Sequence, residues 1–184
     1  MTRYLMLSAE CLPGFCSVNE LLSLIAALTI HEMGHLAAAK FFGIPLVRFR
    51  LNPTGGVMTF DFSHASYLRE TAVHLGGPLA GILSAAVGWT LLQNFFFTGI
   101  SVTLAVVNLL PIRGLDGGGV LRCLLNRFCF PDTAWRIGRI CSVSGVMLLW
   151  TAVLWIELRV RANLGLMAFA AVLLLKETKT PEDP

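Results

Sequence analysis

The sequence predicts an all-α polytopic membrane protein with about four to five membrane helices and a small membrane-associated β-hairpin. Composition is the first reason. The 184 residues are 55% hydrophobic and only 14% charged, whereas soluble domains are about 45–50% apolar and about 25% charged. The second reason is arrangement: apolar residues form long runs, 21–39 above all, and runs near 18 or more residues read as membrane helices. The third is one interruption rich in Pro and Gly, flanked by β-favouring residues on both sides.

The first helix is expected over about residues 19–42, with Asn19 as N-cap and Gly43 as its stop. Residues 44–63 then change character. Pro45, Pro53 and Gly55-Gly56 punctuate two β-favouring stretches, 46–51 and 57–60, which read as a hairpin or strand pair. A second helix, about 67–97, contains Gly76-Gly77-Pro78-Leu79-Ala80-Gly81; small residues at that density let helices approach closely, and Pro78 is a kink point. The third apolar run, 100–110, stops at Pro111 and is too short to span unless Phe96 and Phe97 join it or it ends partway across. A turn-rich interruption, 111–119, leads into a short helix to about Phe130. A fourth helix is expected over about 135–156 and a fifth over 162–175, before a polar, disordered tail. The chain thus divides into an N-terminal segment 1–18, a core 19–130, C-terminal helices 131–175 and a tail 176–184, with no internal repeat.

Charge placement orients these spans. Lys40, Arg48, Arg50 and Arg69 bracket the hairpin, and Arg113, Arg122, Arg127, Arg136 and Arg139 follow the third run, while residues 93–98 carry no charge. The positive-inside rule puts the hairpin and the Asp116 segment on the cytoplasmic side. Arg159 and Arg161 then fall on the outer side, against the pattern. The net charge of +3 forms no basic run interleaved with aromatics, which excludes a nucleic-acid partner. Five cysteines without C-x-x-C spacing read as packing residues or free thiols, although Cys11 and Cys16 could pair in an oxidising compartment. Glu10 and Pro13 interrupt the N-terminal apolar run and argue against a cleaved signal peptide.

His31, Glu32 and His35 spell H-E-M-G-H, the sole ionisable groups between residues 21 and 39. A charged carboxylate at a helix centre costs roughly 3 kcal/mol in lipid even on lenient scales. Groups kept at that cost point to use, the bland reading being a satisfied polar cluster between helices. Residues four apart stack on one helix face, so both histidines can reach one ion. Glu32 lies about 100° round, able to touch a water at that ion without being a ligand. H-E-x-x-H on a helix is the zinc-hydrolase signature. A catalytic zinc needs a third protein ligand and an open position. The soluble pattern with a third histidine fails, because its offsets carry Ala38 and Phe41. Asp61, His64, Glu70, His74 and Asp116 remain. Asp116 has the better case, since it sits where a broken helix meets flexible glycines, and such backbone at membrane depth is tolerated only when buried or lining a wet cavity. An Asp-Gly surface turn is its bland alternative.

From residue 21 to 125 the chain resembles the site-2 protease family of intramembrane zinc metalloproteases. The resemblance rests on His31-Glu32-Met33-Gly34-His35, on Gly77-Pro78-Leu79-Ala80-Gly81, and on Asn108-Leu109-Leu110-Pro111 followed by Leu115-Asp116-Gly117. Residues 38–44 and 53–57 look particularly like the branch of stage IV sporulation protein FB. The resemblance implies one zinc per chain held by His31, His35 and Asp116, with Glu32 as general base and acid toward a water at the ion. It also implies a bacterial cell membrane, a membrane-associated protein substrate beside the lipid bilayer, and a core 19–130 that is the protease unit. Gly55 and Gly56 in the hairpin, and Asn108, are the candidate substrate-binding residues. Three positions depart from the family: Gly81 stands where asparagine is frequent, Gly114 where proline is, and Gly119 where a larger polar residue is. Two rival readings stand beside this one, an inactive scaffold of the same fold and a small multi-span transporter whose His and Glu form an ion path.

Overall fold

The structure, a computed structural model, describes residues 17–52, 55–159, 171, 172 and 174. In chain order it comprises α1 (Val18–Phe41), β1 (Leu46–Asn52), β2 (Gly55–Phe60), α2 (Tyr67–Thr90), α3 (Phe95–Asn108), α4 (Asp116–Phe128) and α5 (Pro131–Arg159). Among the described residues three helices, α1, α2 and α5, are long and apolar enough to cross a membrane. The chain is a multi-pass, mostly helical membrane protein carrying one two-stranded sheet. The expected fifth helix, the polar tail, and Cys11 and Cys16 lie outside the described residues, apart from positions 171, 172 and 174.

Ser17, not Asn19, caps α1. Its hydroxyl accepts from the Glu20 backbone N–H at 3.3 Å, and the Glu20 carboxylate accepts from the Ser17 N–H at 2.9 Å. This reciprocal box satisfies two helix-end donors where Asn19 would satisfy one. At the other end Gly43 takes φ +67°, which turns the chain out of the helix as expected. A Cβ at Gly43 would meet nothing within 4 Å, so Gly43→Ala carries backbone strain alone. The expected loss is about 1 kcal/mol, read as a small fall in the thermal unfolding temperature of the detergent-solubilised protein.

The buried residues of α1 are Ser23, Ala27, His31, His35 and Ala39, one every turn, while Leu21, Leu22, Ile25 and Met33 face outward. Large apolar residues outside and small or polar ones inside is the pattern that lipid allows. Gly34 and Gly76 mark the crossing of α1 and α2: a Cβ on Gly76 would sit 2.5 Å from the Gly34 carbonyl oxygen and 2.9 Å from the Ala38 Cβ. β1 and β2 pair antiparallel from Leu46↔Phe60 to Asn52↔Gly55, with an irregularity between Leu46 and Arg48. Phe60, Phe62 and Ala65 close over a core of Ala39, Ile44 and Val73 where the hairpin leaves and rejoins the helices.

The second helix ends at Thr90, short of the expected Phe97. Gln93 adopts φ 48°, and the Asn94 side chain accepts from the Phe97 N–H at 3.0 Å, so the chain breaks and α3 starts afresh. Phe96 and Phe97 therefore join the third helix. At fourteen residues it is about 21 Å long, short of a hydrocarbon core of about 30 Å. The fourth short helix also starts earlier than a loose glycine turn would allow. Asp116, Gly117, Gly118 and Gly119 are all within α4. A Cβ at Gly117 would overlap the Leu109 carbonyl, and one at Gly118 the Ile112 carbonyl. These glycines thus serve close backbone approach, pressing the start of α4 against the end of α3.

Candidate metal centre

One turn of α1 sets His31 and His35 side by side, 3% and 7% exposed, and the first residue of α4 brings Asp116 to both. His31 Nε2 is 3.1 Å from Asp116 Oδ2, His35 Nε2 is 3.3 Å from the same oxygen, and the two Nε2 atoms are 3.3 Å apart. The imidazole rings stand edge to face, 4.9 Å between centroids. The Nδ1–H of His35 donates to the Val73 carbonyl at 2.8 Å. A carbonyl only accepts, so this bond fixes the proton on Nδ1 and leaves the Nε2 lone pair aimed at the cluster.

Lone pairs of His35 and of the Asp116 carboxylate therefore face each other at 3.3 Å, an arrangement that calls for a positive centre between them. Four ligands at about 2.0–2.1 Å from a tetrahedral zinc lie about 3.3–3.4 Å from one another. The observed separations of 3.1, 3.3 and 3.3 Å match three corners of such a tetrahedron. Gly77 of α2 adds room: a Cβ there would overlap His35 Nε2 and lie 2.8 Å from His31 Nε2. The donor set, its spacing and this open flank fit a divalent ion. Glu32 is half-buried beside the group and interacts electrostatically with His35, His31 and Asp116.

The other candidates lie apart. Asp61 and His64 are exposed in the turn before α2. There the Asp61 carboxylate accepts from the Ser63 N–H at 3.0 Å and hydroxyl at 2.6 Å. These bonds hold its pKa below the usual carboxylate value. Asn108 turns onto its own helix, its amide donating to the Leu104 carbonyl at 3.0 Å. Gly55 and Gly56 open β2 opposite Asn52 and Leu51, at the turn end of the hairpin. Glu70 and His74 join a separate cluster with Cys123. Sequence reasoning passed over Val73, which acts through its backbone and leaves no side-chain signature. It also passed over Gly77 as a neighbour of the ligand nitrogens, although the Gly76-Gly77-Pro78 run was its visible trace.

Residues 20–96 match the model of Peptidase family M50. Stage IV sporulation protein FB of Bacillus subtilis (strain 168) is 35% identical over 170 residues, covering 87% of this chain and 59% of that protein. Residues 20–96 thus form a peptidase M50, or site-2 protease, domain. Within that family, the zinc metalloprotease MJ0392 of Methanocaldococcus jannaschii is 28% identical over 116 residues, 56% of this chain and 33% of that protein. The site-2 protease from Methanocaldococcus jannaschii superposes with a TM-score of 0.67 at 21% identity, over 98% of this chain and 88% of that one. That likeness establishes the site-2 protease fold. The chain spans 59% and 33% of the two curated relatives' lengths. A fluoride-specific ion channel FluC of Helicobacter pylori (strain HPAG1) also matches, 36% identical over 92 residues, 45% of this chain and 68% of that protein.

Proposed function

We propose that this chain is an intramembrane zinc metalloprotease that hydrolyses a peptide bond in or near a membrane segment of a membrane-associated protein. The observation that carries the reading is the convergence of His31, His35 and Asp116, 85 residues apart at its widest, with Glu32 beside them. His31 and His35 as neutral imidazoles and Asp116 as a carboxylate would hold one zinc, leaving it a formal charge of about +1. When bound, zinc supplies Lewis acidity to a water and to the scissile carbonyl. Glu32 takes the proton from the attacking water and delivers it to the departing amine. Val73 keeps His35 in the ligating tautomer throughout.

Helical substrates hide their peptide bonds, so a substrate must unwind near the site. The β1–β2 hairpin offers strand edges to which an extended segment could add by backbone hydrogen bonds, with Gly55 and Gly56 at its turn and Asn108 near the end of α3. The clusters of Lys and Arg around the hairpin and α4 favour a site open to the cytoplasmic side of a bacterial cell membrane.

Metal analysis of the purified full chain tests this. Asp116→Ala should lower bound zinc by one equivalent and stop cleavage of a co-expressed single-span reporter protein, while thermal unfolding stays cooperative. Zinc content equal to wild type in Asp116→Ala would remove this carboxylate from the ligand set and the reading with it.

A further inference from the structure

A second constellation lies between α2 and α4. Glu70 and His74 stand one turn apart on α2, and Cys123 faces them from α4, with one donor atom of each within 4.8 Å of the others. Cys123 is 1% exposed. The buried Nε2 of His74 has no hydrogen-bond partner and lies 3.9 Å from Glu70 Oε1, beyond hydrogen-bond reach. The Arg122 guanidinium donates to the same Glu70 oxygen at 2.6 Å from a largely exposed position. Phe62 lies beside His74, the two ring centroids 5.9 Å apart.

Room for the imidazole is made by α4 itself. A Cβ at Gly119 would stand 2.5 Å from both Cε1 and Nε2 of His74, so any larger residue there would expel the ring. Arg122 alone would neutralise Glu70, and the Cys123 thiol hydrogen-bonds to Glu70 and Thr71, yet the buried His74 Nε2 is left without a partner. Sulfur, imidazole nitrogen and carboxylate oxygen together are donors suited to zinc and similar borderline ions. Burial, then the nearby Glu70 carboxylate, push the Cys123 thiol up to about 11. The free protein therefore keeps the sulfur protonated, and a bound divalent ion would displace that proton.

We propose that Glu70, His74 and Cys123 form a second divalent-metal site, separate from the His31–His35–Asp116 group and selective for a thiophilic ion such as zinc. Its donors come from α2 and from the helix whose first residue is Asp116. An ion there ties α4 to α2 two turns from Asp116 and so steadies that carboxylate.

Cobalt(II) substitution of the detergent-solubilised full chain separates the two sites, because the first offers no sulfur. A thiolate-to-cobalt charge-transfer band in the near ultraviolet should appear in wild type and persist in the His31→Ala/His35→Ala double variant. It should vanish in Cys123→Ser and persist in Cys129→Ser and Cys141→Ser. Zinc content should fall from two equivalents to one in Cys123→Ser, with metal-free Cys123→Ser unfolding at the wild-type temperature. No sulfur band in wild type, or a band that survives Cys123→Ser, would overturn the proposal. In the double variant the band reports on the Cys123 site alone, whether or not the first site holds metal in the wild-type protein.

Discussion

Glu32→Gln is expected to leave bound zinc at the wild-type level and to reduce peptide-bond cleavage by at least about a thousandfold. The magnitude follows from the two tasks assigned to one carboxylate. Proton removal from the attacking water and proton delivery to the leaving amine each draw on general acid–base catalysis, worth about 10²–10⁴-fold per positioned group. A glutamine side chain keeps the size of the glutamate and can neither accept nor return that proton at neutral pH. Glu32 also stands outside the triangle of Nε2 and Oδ2 atoms, so metal loading has no reason to change. The readout is paired: zinc per chain in the purified protein, and the membrane proteins that accumulate uncleaved in cells carrying the variant. Cleavage at the wild-type rate would assign the chain to non-catalytic binding or move the base elsewhere. Loss of zinc together with activity would make Glu32 part of the coordination rather than of the proton path.

The sequence exposed the parts of this site that depend on side-chain chemistry at helical spacing. His31 and His35 were legible because a helix puts residues four apart on one face, and because lipid makes their presence conspicuous. Asp116 was legible because Pro111 and the glycines announced broken backbone at membrane depth. The hairpin followed from the β-favouring stretches on either side of Pro53 and Gly55-Gly56. What escaped was set by backbone contacts between elements. The α2–α3 break lies at Gln93 and Asn94, where neither Gly nor Pro stands; the polar pair in an apolar run was the one available hint. Gly117 and Gly118 looked like turn residues, yet they sit inside a helix, where the carbonyls of Leu109 and Ile112 leave no space for a Cβ. The same residue type serves loose turns and tight crossings, and only tertiary proximity tells the two apart.

Gly77→Ala should show how far the metal site depends on such a crossing: zinc affinity at the first site is expected to fall at least about tenfold, within the range for changes that displace a ligand's support. The added Cβ would overlap His35 Nε2 and stand 2.7 Å from His35 Cε1 and 2.8 Å from His31 Nε2. Neither ring has an easy retreat. His35 is tied through Nδ1 to the Val73 carbonyl one turn earlier on the same helix as Gly77, and His31 is 3% exposed, with Asp116 3.1 Å from its Nε2. The methyl group must therefore push apart the lone pairs that define the site, or force α2 away from α1. Gly81→Ala, one turn on, is the matched comparison. Its Cβ would meet the Ala105 Cβ at 3.3 Å and the Ser101 carbonyl at 3.4 Å, and would stay 4.0 Å from His31 Nδ1. A few tenths of an ångström of give accommodates it, and the gain in helix propensity, about 1 kcal/mol, offsets the crowding. Zinc titration with thermal unfolding of both variants in detergent reads the difference. Wild-type zinc affinity in Gly77→Ala would mean that the ion does not occupy the space between the two imidazoles and Asp116. A loss shared equally by Gly81→Ala would trace the effect to general loosening of α2 rather than to the ligand nitrogens.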